Sequence, residues 1–208
     1  MFPHILQHRD TDMKHLAIFA SGSGTNAQNL IEYFKYKKER SNQTELGHKV
    51  ELVICNKPQA YVVERAKKLD VPSVVLSKEE LTTNTQKLFE LLSQYNIDYI
   101  ILAGYLLKIP AELIDKYHDR IINIHPALLP AYGGKGMYGH HVHEAVVAAG
   151  EKESGITIHL VDEKYDNGKI LFQAKCEVAP SDTPDDVAEK IHHLEQANFP
   201  RVVDEYIN

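Results

Sequence analysis

Apolar positions along the chain fall first into short unbroken runs of strand length, at residues 15–20, 50–54, 72–76, 99–103 and 121–124. Between these runs, at 27–36, 59–69, 85–95 and 110–117, apolar residues recur at helical spacing. A strand that is apolar throughout is buried on both faces, which is the situation of a parallel strand covered by helices. The alternation therefore predicts an α/β fold built on a doubly wound, mostly parallel sheet.

The pattern changes after residue 130. Residues 140–149 read as a helix, with Gly150 placed to end it. Gly155-Ile156-Thr157-Ile158-His159-Leu160-Val161 alternates, with Ile156, Ile158 and Leu160 on one face and Thr157 and His159 on the other, more polar face. Residues 169–178 form a further strand. Asn167-Gly168 between the two is a strong hairpin signal, so they are expected to be antiparallel neighbours joined by a tight turn, with Asp166 at its mouth. Ser181-Asp182-Thr183-Pro184 opens the last helix, expected to run through Val187, Ile191 and Leu194. The organisation expected is an N-terminal tail, 1–14, and one domain, 15–208, with 15–120 and 121–208 as its halves.

Two stretches carry candidate chemistry. Pro126 has no N–H to donate, so the strand at 121–124 must stop pairing just after His125. Asn123 and His125 then share a face at the carboxyl end, where open α/β sheets bind ligands. An amide that donates to an oxyanion, beside an imidazole that moves a proton, suits a carbonyl carbon becoming tetrahedral. The alternative is a buried polar pair tying a strand end to a loop. The second stretch, Ser21-Gly22-Ser23-Gly24-Thr25-Asn26, lies between a strand and a helix, where free N–H groups cradle a phosphate. Ala27 stands where a dinucleotide fingerprint has its third glycine. The second strand ends in Cys55-Asn56-Lys57 rather than in an acid. A phosphate monoester is therefore expected in place of a nicotinamide cofactor. The alternative is a purely structural turn capped by Thr25 and Asn26.

Other features exclude more than they suggest. His140, His141 and His143 have no Cys or carboxylate at ligand spacing, so no metal is expected. Lys135, within Ala131-Tyr132-Gly133-Gly134-Lys135-Gly136-Met137-Tyr138-Gly139, lacks the Ser or Thr of a Walker loop, and the segment reads as a flexible lid. A formal net charge of −6 argues against nucleic acid as a partner. No run approaches the ~18 apolar residues of a membrane span. Cys55 and Cys176 stand far apart in sequence, as befits free thiols in a reducing compartment. A cytoplasmic protein with small-molecule partners, monomeric or homodimeric, is expected.

Taken together, Ser21 to Asn26, Leu102-Ala103-Gly104-Tyr105, Asn123 to Pro130, Gly155 to His159 and Tyr165-Asp166-Asn167-Gly168 resemble the glycinamide ribonucleotide formyltransferases, the purine-synthesis family that uses 10-formyltetrahydrofolate. The resemblance runs from about Leu16 onward. The Asn-x-His-Pro-x-Leu-Leu-Pro run is specific for folate-dependent formyltransferases, and the Ser-Gly-x-Gly-x-Asn loop for the ribonucleotide members. It implies a Rossmann-like formyltransferase fold with a phosphate-binding half, 15–120, and a catalytic and folate-binding half, 121–208. Asn123, His125 and Asp166 would be the catalytic trio. Gly24, Thr25, Asn26, Glu195 and His159 would hold the ribonucleotide. Leu106, Leu107, Lys108 and Ile109, with Asp162, Glu163, Lys164, Tyr165 and the catalytic Asn123 and Asp166, would wall the folate, which acts as a co-substrate. Asp166 is expected to keep His125 charged by raising its pKa. The sequence departs from the family pattern at Leu81, where an arginine often meets the folate tail and Lys78 is a nearby substitute, at Leu107-Lys108, and in a longer 133–139 loop. Sugar-nucleotide formyltransferases and formyltetrahydrofolate hydrolases share the trio, and methionyl-tRNA formyltransferases carry a further domain. The length of the chain speaks against all three. A binding protein with a decayed site is disfavoured by the intact trio.

Overall fold

In the computed structural model, which describes residues 13–40 and 47–208, the five apolar runs become the parallel strands β1 (His15–Ala20), β2 (Lys49–Cys55), β3 (Ser73–Val75), β4 (Tyr99–Leu102) and β5 (Ile121–His125). Then β6 (Glu153–Leu160) and β7 (Ile170–Glu177) add on antiparallel, giving one seven-stranded sheet in the order β3-β2-β1-β4-β5-β6-β7. Of the expected tail only Met13 and Lys14 fall among the described residues.

Every β1 residue from Leu16 to Ala20 is fully buried, as strands covered on both faces require. One apolar layer packs Ile18, Val53, Ile122 and Ile158 against α1 (Thr25–Arg40), α2 (Val62–Lys68), α6 (His140–Ala148) and α7 (Pro184–Ile207). The opposite layer packs Phe19, Leu52, Ile100 and Ile121 against α3 (Lys78–Thr82), α4 (Gln86–Gln94) and α5 (Ala111–Lys116). The sheet order reverses between β1 and β4. The loops that follow these two strands diverge there and open a crevice at the carboxyl edge.

Four features depart from the expected pattern or extend it. The helix expected at 59–69 begins only at Val62, because the Val62 N–H donates to the Gly22 carbonyl (3.2 Å) and holds the preceding turn out of helical register. The helix α3 was not anticipated, although Ser77 and Glu80 form a reciprocal capping box. The connection at Asn167-Gly168 is no tight hairpin. Residues 161–169 form a longer loop in which Asp162 accepts from Asn167 Nδ2 (2.7 Å) and from the Lys164 N–H (2.8 Å). Finally, α7 runs on to Ile207 through Pro200. Pro200 cannot donate to the Gln196 carbonyl one turn earlier, and Asn29 of α1 fills that vacancy with an Nδ2–H bond of 2.9 Å. The proline thus marks where α7 is stitched to α1.

Candidate active site

Residues 21–24 link β1 to α1, and Gly24 takes a positive φ of 79°. A Cβ there would stand 2.6 Å from Val62 Cβ, so glycine is required both by conformation and by space. The Ser21 N–H donates to the Gly104 carbonyl (3.1 Å), and Ser21 Oγ accepts from the Leu106 N–H (3.1 Å), tying this loop to the one after β4. The Asn26 side chain does not cap α1. Its Nδ2 donates to Glu195 Oε2 (2.9 Å), and its Oδ1 accepts from Gln196 Nε2 (3.2 Å). The stitch at Pro200 therefore places Glu195 directly over the N-terminus of α1, and burial pushes its carboxyl up to about 7, against the partial relief of the Asn26 bond.

Strand pairing sets the second half of the site. Asn123 lies opposite His159, and His125 opposite Thr157. Asn123 Nδ2 and His159 Nε2 are 3.0 Å apart, and His159 Nδ1 lies 2.8 Å from the Leu160 carbonyl oxygen. A carbonyl only accepts, so Nδ1 carries the proton, and the Asn123 amide N–H points to Nε2. The same logic fixes His125: Nε2 donates to the Tyr132 carbonyl (2.7 Å), leaving Nδ1 3.7 Å from Asp166 Oδ1. That Asp166 oxygen is also 3.7 Å from His159 Nε2, while Oδ2 accepts from the Gly134 N–H (2.8 Å). Behind them Thr157 Oγ1 donates to the Ala127 carbonyl (2.6 Å) and accepts from the Leu129 N–H and from Gln173 Nε2, both at 2.9 Å. This anchors the 126–130 turn, which contains a cis Leu129-Pro130 bond.

The electrostatics overturn one expectation. The His125 pKa is lowered, because burial outweighs both the Asp166 carboxylate and the Tyr132 carbonyl. Asp166 supports the imidazolium but does not win, so His125 is neutral in the free protein at neutral pH. Burial alone would raise the Asp166 pKa. His159, His125 and the Gly134 N–H together bring it below the ordinary carboxylate value.

Two cavities meet at this point. The larger, about 680 Å³, is lined by the loop from Gly22 to Asn26, by Glu195, by His125 and by the 134–139 loop. The smaller, about 70 Å³, is a slot between Leu107, Lys108 and Ile109 on one side and the run from Asp162 to Asp166 on the other. Asn123, Asp166, Tyr105 and Tyr165 line both. Each residue expected to act in catalysis or to hold the ribonucleotide or the folate borders one cavity or both, whereas Lys78 and Leu81 border neither. Leu106 turns to the larger cavity rather than to the slot, and His159 to the slot rather than to the larger cavity. Leu81 is fully buried under the sheet. Sequence reasoning missed Tyr132, Gly134, Gln196 and Asn29. The first two act through backbone atoms, which leave no mark on residue type. The Asn29 partnership had one available signal in Pro200, whose position leaves a carbonyl to be satisfied.

Among the described residues no group of three His, Cys, Asp or Glu is placed to hold a metal ion, and no helix is long and apolar enough to cross a membrane. An open α/β sheet with an amide, an imidazole and a carboxylate where two cavities meet is the layout of a two-substrate site for acyl-group chemistry. The chain belongs to the formyl transferase family, whose sequence profile matches residues 14–203. It is 36% identical over 194 residues to the phosphoribosylglycinamide formyltransferase of Bacillus subtilis, covering 92% of this chain and 93% of that protein. It is 39% identical over 194 residues to the chloroplastic phosphoribosylglycinamide formyltransferase of Arabidopsis thaliana; the match takes in 91% of this chain but only 64% of the plant protein's length. The crystal structure of glycinamide ribonucleotide transformylase 1 from Geobacillus kaustophilus superposes with a TM-score of 0.82 at 35% identity, covering 94% of this chain and all of that one (100%).

Proposed function

We propose that this protein transfers the formyl group of 10-formyltetrahydrofolate to the primary amine of 5'-phosphoribosylglycinamide, releasing formylglycinamide ribonucleotide and tetrahydrofolate. The observation that carries this reading is that Asn123 and Asp166 line both cavities, one floored by a phosphate-type loop and the other walled by apolar side chains with two lysines. A reacting carbon at that seam is reached by one substrate from each side.

The roles follow from the hydrogen-bond directions. One Asn123 N–H is spent on His159, and the second is free to meet the oxyanion that forms on the formyl oxygen as the amine attacks. His125 Nδ1, unprotonated and facing Asp166, accepts the proton shed by the amine. Asp166 then stabilises the imidazolium, and the proton passes to N10 as the carbon–N10 bond breaks. Backbone N–H groups of Gly24, Thr25 and Asn26 hold the phosphate at the start of α1. Glu195 and Asn26 meet the ribose and glycinamide. The folate ring edge enters the slot between Leu107 to Ile109 and the 162–166 run, where Leu107, Ile109 and Val161 supply apolar contact. A cytoplasmic location belongs to the same proposal.

The test is product identity. With a formyl donor labelled at the formyl carbon, mass spectrometry should find the label on the ribonucleotide amine. Label appearing only as free formate would replace the transferase reading with a hydrolase.

A further inference from the structure

The larger cavity holds an excess of negative charge for a site that takes a phosphate. Its lining includes the Asp166 carboxylate and the acid Glu195, partly protonated near neutral pH, and its phosphate loop, Gly22 to Asn26, supplies neutral groups only. Burial holds the cavity histidines His125 and His143 toward the neutral form, and the third, His192, faces Glu195 with Nδ1 3.8 Å from Oε2. Among the described residues that line it, Lys135 is the only Lys or Arg, and no hydrogen bond or ion pair engages its ammonium. The slot, by contrast, has Lys108 and Lys164 of its own, beside Asp162 and Glu163, so the folate does not need this cation.

The backbone around Lys135 is arranged to present it. Gly134 and Gly136 flank it at φ of 95° and 93°, where a longer residue would be strained, and a Cβ at either would meet nothing within 4 Å. The Gly134 N–H is bound by Asp166 Oδ2 at 2.8 Å, so a catalytic carboxylate fixes the loop one residue from the lysine. The side chain therefore starts from a held point and swings in open space.

We propose that Lys135 is a binding residue for the ribonucleotide phosphate, supplying from the 133–139 loop the positive charge that the Gly22 to Asn26 loop lacks. The inference rests on the preceding reading of the site and adds to it the residue that sets the affinity for a phosphorylated over an unphosphorylated acceptor. An ammonium on a phosphate oxygen makes a charge-assisted hydrogen bond, and arginine, with its own charged donors, should replace it.

The test is calorimetric titration of D-ribose 5-phosphate and of D-ribose into the wild type, Lys135→Met and Lys135→Arg. The wild type should bind the phosphate ester and not the free sugar. Lys135→Met should weaken the ester by roughly ten- to a hundredfold, and Lys135→Arg should stay within roughly threefold of the wild type. In steady-state kinetics the Met variant should raise KM for the ribonucleotide and leave KM for the folate in place. Equal ester affinity in the wild type and Lys135→Met overturns the role of Lys135 while the phosphate loop stands. No ester binding by the wild type removes the reading of the loop itself, and the role of Lys135 with it.

Discussion

His125 donates Nε2–H to the carbonyl oxygen of Tyr132 at 2.7 Å, and this one bond decides which ring nitrogen is left to face Asp166. Tyr132 holds its carbonyl there from a backbone φ of 54°, with its hydroxyl bound to Glu151 (2.8 Å). Nδ1 is left as the free base, 3.7 Å from Asp166. The His125 imidazole is neutral and of fixed tautomer, and in the proposed reaction it accepts rather than donates.

Replacing Asp166 by Asn should lower the His125 pKa further, because the carboxylate is the largest influence raising it against burial. The acidic limb of the rate profile should then move to lower pH, while the plateau falls by roughly 10²- to 10⁴-fold as the proton relay is lost. An unshifted limb would mean that the limb does not report His125.

Removing the His159 ring frees the Asn123 amide to rotate, so His159→Ala should lower kcat by about tenfold, the scale of one hydrogen bond. His159→Gln restores an acceptor and should recover part of the loss. Asn123→Ala should cost more, roughly 10²- to 10³-fold, because it removes the oxyanion donor itself. The ordering of the three rates checks whether His159 acts through Asn123.

The Glu195 carboxyl, pushed up to about 7 from an ordinary 4.5, makes stability depend on pH in a definite direction. Between those two values the folded chain binds the extra proton, so this group's contribution falls as pH rises through the interval. Above about pH 8 the buried carboxylate costs roughly 3 kcal/mol. Glu195→Gln should therefore raise the melting temperature at about pH 8 and change it little at about pH 4. The buried histidines His48, His125 and His143, all with lowered pKa, act in the opposite sense: their contribution is complete above the ordinary value of 6.5 and is lost as pH falls below it. A Glu195→Gln variant equally stabilised at both pH values would contradict the assignment.

Gly24→Ala combines a strained positive φ with a collision against Val62. It should destabilise the fold by about 1–3 kcal/mol and raise KM for the ribonucleotide while sparing that for folate. Denaturant titration and the two KM values separate these effects.

The parts of this account legible in the sequence are those set by local covalent chemistry. Pro126 could only end β5, so the position of Asn123 and His125 at the lip followed, and the alternation of β6 put Thr157 and His159 on their face. The charge state of His125 was not legible, because the number of atoms excluding water from a side chain depends on the whole fold. Asn167-Gly168 pointed rightly to the antiparallel pairing of β6 and β7 but not to the length of the loop between them. Gly168 is needed where a Cβ would stand 1.9 Å from the Leu160 carbonyl oxygen, a close approach rather than a tight turn, and the longer loop is what carries Asp166 into the site. The Asn26–Glu195 bond joins residues 169 positions apart, and no local pattern contains it.

The central claim is that the two cavities hold two substrates of one reaction, and acceptor dependence tests it most directly. Folate release from 10-formyltetrahydrofolate is followed by absorbance, with and without 5'-phosphoribosylglycinamide. Release that requires the ribonucleotide, and that disappears in Asn123→Ala, is the expected result. Release at the same rate without any acceptor would contradict the account.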